Sequence, residues 1–201
     1  MSSESVRVSE SVTIIKQNPV KESGSMSHDN AKWTSRIKLE KYNTPGSYEK
    51  GVPDEVLNIE GNTALLVGLN MLWKLANGQN ESDGAYPFNT ANTFVGVGDS
   101  AATADANQGG LLGTNVAYAG MDTDAGIFPT ISNNTMTVRA KFGVSEANFP
   151  WNEWGVLNGN PNDLGNRDAG TVVQFNRKVE AMGTKIEGST WVIVAELTIN
   201  P

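Results

Sequence analysis

The chain has 201 residues, no Cys, a single His and a formal net charge of −7. The missing thiols exclude disulfides, Cys-ligated metals and thiol nucleophiles, and His28 alone cannot build a His-clustered metal site or an ordinary His-dependent triad. Fifteen basic against 22 acidic residues make nucleic acid and anionic membrane poor partners, because both repel an acidic chain.

The chain opens on MSSESVRVSESV, which is polar and carries two glutamates. No apolar run of signal-peptide length follows, so synthesis in a cytoplasm without export by that route is expected. The longest apolar stretch, Ala64–Leu69, is interrupted by Gly68 and is far shorter than a membrane span. The sequons at Asn80 and Asn133 therefore carry no glycosylation reading. Residues 1–30 read as an extended N-terminal arm. Val12, Ile14 and Ile15 are its apolar patch, Pro19 ends that patch, and KESGSMSHDN (21–30) has the composition of a linker. The bland reading is a polar tail. The apolar patch suits the arm to add a strand to a partner or to fill its groove.

Residues 31–201 read as one β-rich domain. Lys32–Tyr42 alternates, with Trp33, Ser35, Ile37 and Leu39 on one face and Lys32, Thr34, Arg36, Lys38 and Glu40 on the other, which predicts a half-buried strand. Asn43–Ser47 is a turn cluster, and Pro53–Glu60 predicts a second short strand through Val56 and Leu57 or Ile59. Residues 62–77 predict the α-helix. Asn62 serves as its cap, Leu65, Leu69, Leu72 and Ala76 share a face, and Asn77-Gly78 supplies a left-handed stop.

Beyond Ala85 the pattern is β. Strands are predicted over 93–97, 116–121, 135–142, 151–157, 171–180 and 190–199, with 101–113 and 158–170 as long polar loops. On the last strand Trp191, Ile193, Ala195, Leu197 and Ile199 share one face. Val192 and Val194 on the other mark it as interior. Short strands joined by Gly/Asn turns predict a mainly β fold: a β-sandwich or jelly-roll-like domain with one helix.

The oxygen-rich motifs read as structure rather than as sites. Asp122-Thr-Asp124-Ala-Gly126 opens like a calcium loop but lacks the third ligand and the closing Glu, so Asx turns are expected. Asn160–Asp168 reads the same way. Glu153 lies between Trp151 and Trp154, and a structural ion pair with Arg139, Arg177 or Lys178 is expected in place of a glycosidase carboxylate. Gly96-Val-Gly98-Asp-Ser lacks the third glycine and the helix of a nucleotide loop, which leaves a tight strand end. Strict alternation places Trp151 and Trp154 on opposite sheet faces, one in the core and one facing a partner or a sugar ring. These readings leave no catalytic, metal or cofactor residues, and no enzyme is expected.

Three segments resemble small virion structural proteins of tailed bacteriophages: FVGVGDSAATADANQGGLLGTNVAYAGMD (94–122), VRAKFGVSEANFPWNEWGVLN (138–158) and FNRKVEAMGTKIEGSTWVIVAELTI (175–199). The resemblance covers about residues 55–200, with the closing segment its most distinctive part; residues 1–50 fall outside it. It implies a β-rich accessory component of the particle, made in the bacterial host cytoplasm and carried in the virion. The expectation is a capsid decoration (cement) protein that binds the major capsid protein as a homo-oligomer, with a trimer the usual symmetry. Residues 1–50 would reach across neighbouring subunits, and Val12, Ile14, Ile15 and Trp33 would make contact. The alternatives are a tail, baseplate or fibre component, and a carbohydrate-binding host-adhesion module resting on Trp151 or Trp154.

Overall fold

A computed structural model describes residues 32–164 and 171–200. The predicted arm, with Val12, Ile14 and Ile15, lies outside the described residues. Eleven strands follow in chain order: β1 (Lys32–Tyr42), β2 (Glu55–Glu60), β3 (Thr63–Ala64), β4 (Thr93–Gly98), β5 (Val116–Gly120), β6 (Thr130–Ser132), β7 (Thr135–Phe142), β8 (Pro150–Gly159), β9 (Val172–Gln174), β10 (Asn176–Thr184) and β11 (Thr190–Asn200). One α-helix, α1 (Leu66–Ala76), stands between β3 and β4.

The strands form two open sheets with antiparallel pairing, a mainly β, sandwich-like fold. The first has the order β2-β1-β11-β7-β6; the second runs β3-β10-β8-β4-β5, with β9 also paired to β8. β11 is interior, as its two apolar faces predict, and pairs along its length with β1 and β7. Alternation holds where expected: Ile37 and Leu39 on β1, and Val138, Ala140 and Phe142 on β7, are buried. They pack with Ile193, Ala195 and Leu197 of β11 against Val95 and Val97 of β4, Trp151, Trp154 and Val156 of β8, and Met182 of β10. Each large side chain fully buried this way contributes about 1.5–3 kcal/mol.

Three expectations are corrected. The helix begins at Leu66 instead of residue 62, because Thr63 and Ala64 are taken up as β3 against Arg177 and Asn176. Asn62 caps nothing; its Oδ1 accepts from the Trp33 indole at 2.9 Å. The buried helix face carries Gly68 and Met71 instead of Leu69 and Ala76, since a side chain at Gly68 would strike the Phe175 backbone and the backbones meet there directly. The stop at Asn77-Gly78 is as predicted, with Gly78 left-handed at φ 78° and its amide donating to Leu75 O.

The predicted strand over 171–180 is two strands, interrupted at Phe175. The Phe175 amide donates to Val156 O, and its carbonyl accepts from Leu65, which ties the start of α1 to the second sheet. β1 is a full sheet strand to Tyr42, so residues 32–42 belong to the domain and not to an arm reaching across neighbours.

Candidate functional site

An apolar depression lies at an end of the first sheet. Its floor is a small second core of Met71, Ala85 and Phe175, with Trp33, Leu72, Leu75, Phe88 and Val173 packed against it. The sequence builds it locally. Gly68 admits α1 to within backbone contact of Phe175, and Phe88 meets the Phe175 ring edge-on with centroids 4.5 Å apart. Trp33 lies 6.5 Å from Phe175 and is held by its bond to Asn62. The rim comes from the β6–β7 hairpin and the end of β11. Asn133 takes a left-handed φ of 53° in the turn, and Asn134 Nδ2 donates to Ile199 O at 2.9 Å.

The resulting groove has a volume of 290 Å³ and is lined by Trp33, Leu72, Phe88, Met136, Phe175 and Leu197 among others. On its rim Ile131 is 74% exposed and Ile199 46% exposed. On α1, Trp73 is 75% exposed. Contiguous exposed apolar patches, unlike single exposed side chains, are the surfaces on which proteins make contacts. Of the four contact residues predicted from sequence, Trp33 is half-buried in this groove. Val12, Ile14 and Ile15 lie outside the described residues. Sequence reasoning missed Ile131, Phe88 and Trp73. Ile131 lies in a three-residue strand too short to show a period.

A second groove, of 520 Å³, is lined by Trp33, Lys32, Arg36, Glu60, Asn62 and Glu196 among others. The Arg36 guanidinium donates to Glu196, and that hydrogen bond first, then the carboxylate's charge, raises its pKa above the usual value.

Glu153, Asp122, Asp124 and Asn160 are each taken up in local structure, while Asn166 and Asp168 lie outside the described residues. Glu153 is fully buried and pairs with Arg177 at 2.5 Å. It also accepts from the Leu112 and Gly113 amides at 3.0 and 2.6 Å, and Arg177 reaches Gln108 at 3.1 Å. The predicted surface loop 101–113 is thereby fastened over the outer face of the second sheet, with Leu111 buried in full. Gly98 is required because a Cβ there would occupy the place of the Glu153 carboxylate. Asp122 forms the expected turn with Asp124 N and pairs with Arg139 at 3.0 Å; Asp124 pairs with Lys141 at 2.5 Å. That hydrogen bond from Lys141, more than its charge, holds the Asp124 carboxyl below the usual range. Asn160 caps a short turn at Pro161–Asp163, and Asp163 accepts from Thr171. Among the described residues no three His, Asp or Glu side chains meet in a way that could hold a metal ion.

Trp151 and Trp154 are corrected together: both are 0% exposed. Both join the same core between the sheets, where the pairing of β8 with β10 shifts register between Val179 and Gly183, and it is Glu153 that meets loop 101–113. Trp151 stacks edge-on between Phe142 and Trp191 and donates its indole N–H to Ala147 O. Neither ring is a platform for a sugar.

No family model, curated protein or solved structure matches the chain. The resemblance to small phage virion proteins therefore rests on the three segments quoted above.

Proposed function

We propose that the chain is a structural component of a tailed-phage particle that works by adhesion, and first of all a capsid decoration protein. The observation that supports it best is the apolar groove at Trp33, with Ile131 and Ile199 exposed on its rim. In this reading the domain sits on the head shell, its groove occupied by an apolar side chain of the major capsid protein, and residues before Lys32 reach a neighbouring subunit through Val12, Ile14 and Ile15. A ligand that binds the assembled shell and not its free parts stabilises the shell by mass action. Repetition over the lattice lets a modest contact hold by avidity. Homo-oligomerisation, as a trimer, would add to that avidity. The role involves no turnover, cofactor or metal.

The test is binding of the purified chain to heads that lack it. Ile131→Asp with Ile199→Asp, and separately deletion of residues 1–30, are expected to abolish or weaken binding; undiminished binding by both overturns the reading. Counting copies by quantitative mass spectrometry of virions separates the head from the tail or baseplate alternative, which requires about 3, 6 or 12 copies under cyclic symmetry. The carbohydrate-binding alternative has lost Trp151 and Trp154 as its basis.

A further inference from the structure

Two connections cross between the sheets side by side. Residues 143–149 lead from β7 of the first sheet to β8 of the second, and residues 185–189 lead from β10 of the second back to β11 of the first. Backbone bonds hold them together: Lys185 N to Phe149 O at 3.2 Å and Gly188 N to Val144 O at 3.1 Å.

Between them lies Lys185, 1% exposed. Its Nζ meets Gly143 O at 2.7 Å and Asn148 Oδ1 at 2.8 Å, both neutral acceptors. No carboxylate of the described residues stands within ion-pair distance of it. An ammonium buried without a counter-ion is costly, and burial accordingly pushes this amine below its ordinary pKa, against the opposing charges of Glu146 and Glu187. The uncharged amine is the nucleophilic form.

The far end of the same carboxamide is held as well. Asn148 Nδ2 donates to Glu187 Oε2 at 2.7 Å and to Val144 O at 3.2 Å, which fixes the oxygen end of the amide toward Lys185. An amine thus sits at the acyl oxygen side of an amide whose leaving nitrogen is hydrogen-bonded to a carboxylate.

We propose that Lys185 and Asn148 join in an intramolecular isopeptide bond, with Glu187 carrying the proton. The Nζ lone pair attacks Asn148 Cγ and the carbonyl electrons move onto Oδ1. In the tetrahedral intermediate the former amine nitrogen and Nδ2 share Cγ, and its proton passes to Nδ2 with Glu187, bonded to Nδ2, as carrier. The Cγ–Nδ2 bond breaks as the carbonyl re-forms, and ammonia leaves. Primary amine and primary amide become one secondary amide plus ammonia, Glu187 returns to its starting form, and no oxidant or reductant is needed. The bond closes a ring between positions 37 residues apart and fastens the two inter-sheet crossings to each other.

The test is the intact mass of the denatured, purified full-length chain. The expected mass is that of the sequence less one ammonia, and a tryptic digest should contain a branched peptide joining Asn148 to Lys185. Lys185→Arg and Asn148→Ala should each show the unreduced mass. Glu187→Gln, an exposed substitution that leaves the fold alone, should slow closure by about 100-fold or more. An unreduced mass in wild-type protein that is folded by circular dichroism overturns the proposal. So does ammonia loss that persists in Lys185→Arg, since that would be cyclisation of an asparagine on its own backbone.

Discussion

Arg177 Nε and Glu153 Oε2 lie 2.5 Å apart with both side chains wholly buried. The same carboxylate holds the amides of Leu112 and Gly113, so the pair joins the second sheet to the loop that covers it. Removing one partner strands a buried charge. Arg177→Met or Glu153→Gln is expected to cost about 3–5 kcal/mol in chemical denaturation. The double variant should lose less than the sum, because the two residues act on one interaction. Additive losses would show that the pair is not a unit.

Gly68 sets the distance between α1 and the second sheet. A methyl group there would sit 2.6 Å from Phe175 Cα, and backbone cannot swing aside as a side-chain end can. Gly68→Ala is expected to destabilise by about 1–3 kcal/mol despite its better helix propensity. Unchanged stability in a urea titration would mean that the helix stands further off.

Trp73 and Trp151 should respond oppositely to truncation. Trp151→Ala opens the sandwich core and is expected to cost about 3–5 kcal/mol. Trp73→Ala, at an exposed position, should leave stability within about 0.5 kcal/mol. On the proposed function, Trp73→Ala together with Ile131→Ser weakens binding to heads by about tenfold or more. Affinity measured on folded variants decides it.

Glu40 gives the first sheet an acid-sensitive element. Burial pushes its carboxyl up, but hydrogen bonds from Lys38 and Tyr42, and the charges of Lys38 and Arg139, outweigh that and leave it below 4.5. A folded value below the unfolded one means stability that is fully present above the unfolded pKa and is lost as pH falls through the folded one. Unfolding curves should therefore steepen in their pH dependence below 4.5, and Glu40→Gln should flatten that slope. An identical slope in the variant removes Glu40 from the account.

The proposed isopeptide bond has a stability signature of its own. Closing a loop of 37 residues stabilises by about 4 kcal/mol on the chain-entropy account used for cross-links. Glu187→Gln purified before closure is expected to unfold more easily by that amount and to recover as its mass falls. Equal stability of open and closed protein would leave the bond without mechanical consequence.

Sequence patterning carried the sheets well and the packing between elements poorly. Ile37, Leu39, Val138, Ala140 and Phe142 were legible because a strand with one dry face must alternate. Glu153 was legible as an ion pair because an acid between two tryptophans needs a partner. Asn62 was misplaced because a side-chain amide near a helix start looks like a cap whether it bonds its own turn or an indole 29 residues away. The helix face was read one step off because Gly68 contributes no apolar signal, although the closest contact is there. The two tryptophans of β8 deceived for another reason. Strict alternation assumes an even register, and the pairing of β8 with β10 shifts between Val179 and Gly183, so both rings enter one core.

The loop fastened by Glu153 gives the domain a sidedness. Leu111 seals the outer surface of the second sheet, and under the proposed function a neighbour meets the opposite side. There Arg36, Lys38, Glu40, Lys141 and Glu196 set out alternating charges that favour a partner in one rotational setting. The domain thus shows one broad surface closed by its own loop and another that displays a fixed pattern of charge.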